Sequence, residues 1–162
     1  LAAPSSMGMG STGIRRIMHE LGLVARGDAS VWLNNGDGVH IFPGESDATK
    51  WRVLIEAPLG SPFSGGVFAL IVILPTDYPA QPPNVTFETP VYHANVSDSG
   101  TICLDLLKDK WSSAFTVPKA LEAVRLLLAY PNPDDALRQW IAELTIAYKN
   151  SNGVDHRYAD AV

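Results

Sequence analysis

The sequence predicts a single α+β domain in which one helix precedes a four-stranded antiparallel meander and further helices follow it. Three observations predict this. Apolar residues recur at helical spacing toward the two ends of the chain, the middle holds four short strand-like runs, and the links between those runs are rich in turn formers. With 162 residues, 46% of them hydrophobic, the chain can bury one substantial core but is short for two ordinary domains.

The first helix is predicted from Ile14, Ile17, Met18, Leu21 and Val24, with Thr12 placed to cap it and Arg15, Arg16, His19 and Glu20 expected outward. Residues 25–38 lose the period, and Asn34-Asn35 and Asp37-Gly38 mark turns, so a loop is expected, with 30–33 as an alternative short strand. Strands are expected at 39–42, 51–57, 67–74 and 85–87, the second alternating Trp51, Val53 and Ile55 against Arg52, Leu54 and Glu56. Pro43-Gly44 and the Pro- and Gly-containing links 58–66 and 75–84 connect neighbours, which favours a meander. Residues 89–115 show no sustained period. Thr116 and Pro118 then open a second helix with Val117, Leu121, Val124 and Leu128 on one stripe. A third helix is expected over 135–149, with Leu137, Trp140, Ile141, Leu144 and Tyr148 facing one way and residues 150–153 stopping it. Residues 1–10 read as a flexible amino-terminal segment or expression remnant, and 11–162 as the single domain.

Composition narrows the function classes. A net charge of -5 argues against a nucleic-acid partner, because phosphate binding needs clustered Lys and Arg. The longest apolar run, 67–74, is far below the roughly 20 residues of a membrane helix, so no membrane partner is expected. One cysteine excludes an internal disulfide and fits a reducing compartment, cytosol or nucleus. No metal site or cofactor is expected.

The aperiodic stretch 89–115 contains His93, Asn95, Asp98, Cys103, Asp105 and Trp111, and long ordered loops are often functional. A lone cysteine is ordinarily a small buried hydrophobe. Cys103, however, lies away from any periodic core face and among polar residues. Cys103, His93 and Asn95 suggest a Cys-His-Asn hydrolase, yet base and orienting group only two residues apart argue against it. His93 is read instead as structural, bonding backbone to hold its loop.

Tyr92-His93-Ala94-Asn95, Thr101-Ile102-Cys103-Leu104-Asp105, Trp111 and Pro131-Asn132-Pro133-Asp134-Asp135 together resemble the ubiquitin-conjugating enzymes. Gly65-Gly66-Val67-Phe68, Pro75-Thr76-Asp77-Tyr78-Pro79 and Pro82-Pro83 extend the resemblance, which covers about 14–148. It implies the UBC-like fold and a thiol, Cys103, that carries ubiquitin or a ubiquitin-like protein as a thioester. The implied partners are an activating enzyme, a ubiquitin ligase and a substrate lysine. By the same resemblance Asn95 stabilises the oxyanion or holds the loop that does so. Asp135 orients or deprotonates the incoming lysine, its other reading being the cap of the third helix. His93, Leu104 and Asp105 frame the thiol, Leu137 lies near the mouth, and the Tyr78-Pro79 bond is cis. Arg15 and Arg16 match the basic face of the first helix that meets activating enzyme and ligases, although a solvated charged face would look the same.

Three departures accompany the match. The family's His-Pro-Asn reads His93-Ala94-Asn95, which loses a fixed φ and gains a backbone donor. The ligase-facing loops carry Ala80 where an aromatic residue is often found, and Ser112-Ser113-Ala114 in place of Ser-Pro-Ala. The tail after Gly153 is short, so the family's longer final helix is expected to be reduced or absent. Conjugation of another ubiquitin-like modifier, or a binding subunit of the same fold without activity, are the alternatives.

Overall fold

The computed structural model describes residues 8–162. Helix α1 (Ser11–Ala25) leads into the meander β1 (Val39–Pro43), β2 (Lys50–Glu56), β3 (Val67–Ile73) and β4 (Asn84–Phe87), followed by α2 (Val117–Ala129) and α3 (Gln139–Asn150). Each strand pairs antiparallel with the next, in the order β1-β2-β3-β4. The expected α+β meander is therefore what the chain forms.

Alternation explains the sheet. On β2, Trp51, Val53 and Ile55 are buried while Lys50, Arg52, Leu54 and Glu56 are exposed. Their register partners Leu70 and Val72 on β3, with Val85 and Phe87 on β4, continue the inner face. That face shares one buried cluster with Leu121, Val124 and Leu128 of α2, Ile141 of α3 and Ile17 of α1. Burying a large aliphatic or aromatic side chain contributes roughly 1.5–3 kcal/mol, so this cluster is the main source of stability. Thr116 caps α2, its hydroxyl accepting from Lys119 N at 3.2 Å, as predicted.

Several expectations need correction. Gly10, not Thr12, is the N-cap of α1, and it makes no side-chain cap. Met18 is exposed, whereas Glu20, expected outward, is 1% exposed. Its carboxylate accepts from Tyr78 OH at 2.6 Å, Val117 N at 2.8 Å and Arg16 Nε at 2.5 Å, so a buried charge is retained because it is saturated with donors. Glu122 on α2 does the same for the loop after α1, accepting from the backbone N–H groups of Leu33, Asn34 and Gly36. Within that loop Ala29–Val31 is a 3₁₀ turn and not a strand. The third helix starts at Gln139 rather than at 135, because Pro133–Asp135 forms a separate 3₁₀ turn. Asp135 therefore does not cap α3, whose N-cap is Arg138. Leu137 and Trp140 are exposed; Ile141 is buried as expected, Leu144 and Tyr148 pack on the core, and α3 also buries Ala142 and Thr145. Residues 1–7 of the amino-terminal segment lie outside the described residues, but Met9 is already buried in the core. After Gly153 the described residues form one 3₁₀ turn, Ala159–Ala161, and bury Tyr158 against the core. The Tyr78-Pro79 bond is cis, as the resemblance implied. Among the described residues no helix is long and apolar enough to cross a membrane.

Candidate active site

The stretch 89–115 is pinned to the sheet by short pieces of backbone pairing. Thr86 bridges Thr101, Val96 bridges Ile102, and Phe87 N donates to Gly100 O at 3.0 Å. Gly100 has φ +82°, and a Cβ there would meet Phe87 O at 2.1 Å, so both conformation and space require glycine. The hairpin this creates ends with Cys103 N donating to Asn95 O at 2.8 Å.

His93 and Asn95, both fully buried, stiffen the other side. His93 Nε2 donates to Leu127 O at 2.9 Å, while Nδ1 accepts from Asn95 N at 3.0 Å, a tautomer that the two partners require. Burial pushes its imidazole down to about 4, so it stays neutral at pH 7. With both ring nitrogens committed, His93 has no lone pair for a thiol, which removes the Cys-His-Asn hydrolase reading. The Asn95 side-chain amide donates to Asn132 O at 2.7 Å and Asp135 O at 2.9 Å, and its oxygen accepts from Asn132 N at 2.9 Å. Leu137 N and Arg138 N both donate to Ala94 O, at 2.8 and 3.1 Å. The residues from Asn132 to Arg138 are thus laid against the 93–95 loop, and this places Asp135 beside the thiol.

Cys103 is 5% exposed at a cleft of ≈ 370 Å³ that Leu104, Asp105, Leu127, Asn132 and Asp135 also line. Its thiol donates to Asp135 Oδ2 at 2.9 Å, and Lys108 Nζ donates to Sγ at 2.9 Å. Burial raises the thiol above its ordinary range, the bond to Asp135 raises it further, and Lys108 works in the opposite direction. Asp105 is paired with Lys110 at 2.6 Å, which lowers its carboxyl and raises the Lys110 ammonium.

The structure brings together Cys103, Asn95, Asp135, His93, Leu104 and Asp105. Leu137 is exposed two residues beyond Asp135. The other four predicted residues gather elsewhere. Arg15 is exposed on α1, but Arg16 reaches the next layer, donating to Ser113 O at 2.8 Å and Phe115 O at 2.5 Å. Exposed Ala80 and Ser113 lie in loops joined through Trp111, whose Nε1 donates to Pro79 O at 2.9 Å. Sequence reasoning missed Lys108 and Asn132. Lys108 reaches the thiol because Asp105–Leu107 is a 3₁₀ turn that brings the chain back, a turn without a period long enough to read.

A thiol set between an ammonium and a carboxylate, with the nearby imidazole engaged elsewhere, suits an acyl group that arrives already activated. What this arrangement can do chemically is hold an acyl group on a cysteine of an α+β scaffold. Residues 25–156 match the family model for ubiquitin-conjugating enzyme, and the chain belongs to that family. It is 48% identical over 102 residues to a probable ubiquitin-conjugating enzyme E2 31 of Arabidopsis thaliana, covering 63% of this chain and 64% of that protein. It is 47% identical over 107 residues to ubiquitin-conjugating enzyme E2 N of Drosophila melanogaster (66% of this chain, 71% of that one) and 48% over 106 residues to that of Macaca fascicularis (65% and 70%).

Proposed function

We propose that Cys103 accepts the carboxyl terminus of ubiquitin from an activating enzyme as a thioester and passes it to a lysine amine or to a ligase. The observation that carries this reading is the Cys103–Asp135 contact in a cleft where the one nearby histidine cannot act as base. A thioester keeps its carbonyl electrophilic and leaves as thiolate, so an incoming amine needs positioning and loss of one proton more than it needs a strong base. Once Cys103 is acylated its proton is gone, and Asp135 Oδ2 loses its hydrogen bond from sulfur. The same oxygen is then free to accept from the acceptor amine. Asn95 acts through the loop rather than on the oxyanion, since both hydrogens of its amide are already donated to backbone carbonyls. Arg15, Arg16, Ala80 and Ser113 form the surface toward activating enzyme and ligase, in a reducing compartment such as cytosol or nucleus.

The test is incubation with activating enzyme, ATP and ubiquitin, or each ubiquitin-like modifier in turn. An adduct on Cys103 that reductant removes is the expected result, and the modifier that forms it identifies the substrate. No such adduct with any modifier would leave only the reading as a binding subunit of the same fold.

A further inference from the structure

Loading and discharge ask opposite things of one sulfur. To attack an incoming thioester, Cys103 must be a thiolate. Burial disfavours that form, and a carboxylate accepting the S–H hydrogen disfavours it again. Among the described residues around Sγ, Lys108 alone pulls the other way. Its Nζ donates to Sγ at 2.9 Å from an exposed position five residues along the chain. The carboxylates of Asp135 and Asp105 both act on this ammonium, that of Asp105 while paired with Lys110 at 2.6 Å.

We propose that Lys108 is a catalytic residue of the loading step, its ammonium stabilising the Cys103 thiolate that attacks the activating enzyme's thioester. The thiol proton passes to solvent, the new C–S bond forms at Cys103, and the donor's C–S bond breaks to release its thiolate. Lys108 remains protonated throughout, and its contact with Cys103 strengthens its hold on that proton. Lys108 thereby favours loading, whereas Asp135 holds the empty thiol neutral and serves discharge. The loading role rests on the proposed function, but the charge balance at the thiol does not.

Cys103 is the only cysteine in the chain, so alkylation by uncharged iodoacetamide against pH reads its ionisation without any partner. Lys108→Met is expected to move the midpoint up by about one pH unit, and Asp135→Asn to move it down, as a charge within hydrogen-bond distance does. Lys108→Arg is expected to stay near wild type. In loading assays at pH 7, Lys108→Met should have about one tenth of the thiolate. A less acidic thiol is intrinsically more nucleophilic, so the loss of rate should be nearer threefold, closing as pH is raised and rescued by Lys108→Arg. An unmoved or lowered midpoint in Lys108→Met, or a loading deficit independent of pH and unrescued by arginine, would overturn the proposal. If the midpoints move as expected but wild type accepts no modifier, the loading role fails together with the proposed function, and only the thiol electrostatics stand.

Discussion

The two walls of the cleft are built on opposite plans. On the 93–95 side His93, Ala94 and Asn95 are fully buried, and both histidine nitrogens and the asparagine amide are bonded within the protein. On the 105–110 side Asp105, Lys108 and Lys110 are exposed, Lys110 paired with Asp105 and Lys108 with the thiol through water-accessible charges. Buried, satisfied polar groups specify one geometry, while exposed pairs contribute little to stability and follow pH and salt. One wall fixes where atoms are and the other sets what charge they meet. Cys103 and Asp135 sit where the two plans join.

The largest effect expected is at that junction. Cys103→Ala should accept no modifier, and Cys103→Ser should trap it as an adduct that resists thiol reductant, because an alkoxide leaves less readily than a thiolate. An adduct persisting in the alanine variant on a denaturing gel would break the comparison at its centre.

Next comes the fixed wall. Asn95→Ala leaves Asn132 N and two carbonyls without their partner, so it should lower stability by roughly 2–4 kcal/mol in urea and, by letting the loop that places Asp135 shift, slow discharge to lysine by on the order of 10², while charging persists. Loss of charging in step with discharge would mean that the wall collapses as a whole. His93 sharpens the same side through pH. Its imidazole is held near 4 in the fold against about 6.5 when unfolded. The unfolded chain therefore takes up the proton first as pH falls. The stabilisation is complete above pH 6.5 and should decline by roughly 3 kcal/mol between pH 6.5 and 4, a decline that is absent in His93→Gln if this residue is its source.

Smaller effects belong to charge and surface. Asp135→Ala should slow discharge to free lysine about tenfold near pH 7, with the gap narrowing at higher pH where the amine is already deprotonated. A deficit constant with pH would assign Asp135 a purely positional part. The smallest gain is expected from Ala80→Phe with Ser113→Pro, adding anchors worth roughly 1 kcal/mol to ligase affinity. Stimulation of discharge by a RING ligase, measured for wild type and the double variant with charging intact, checks it.

Much of this was legible from period and caps. The strands, α2 with its Thr116 cap and the grouping of Cys103 with Asn95 and Asp135 follow from alternation, helical spacing and a family motif. What the sequence hid was polar burial. Glu20 borders the apolar stripe of α1 but reads as outward by its charge, and Tyr78 and Val117, both distant in sequence, explain why it is inside. Asp135 was placed at a helix end because an acidic residue before an apolar stripe reads as a cap. The 3₁₀ turn that frees it is held by Asn95, whose contacts span 37 and 40 residues. Lys108 was passed over because side chains five apart meet only when a tight turn intervenes.

The Arg16 bridge bears on how partner binding is mapped. Neighbouring arginines on a helix invite charge-reversal as paired reporters, yet these two report on different things. Arg15→Glu alters a surface potential. Arg16→Glu also sets two carboxylates, its own and that of Glu20, side by side and strips the donor from the carbonyls of Ser113 and Phe115. A partner lost with the second variant but kept with the first would reveal a dependence on the shape of the 112–115 loop, not a footprint on α1.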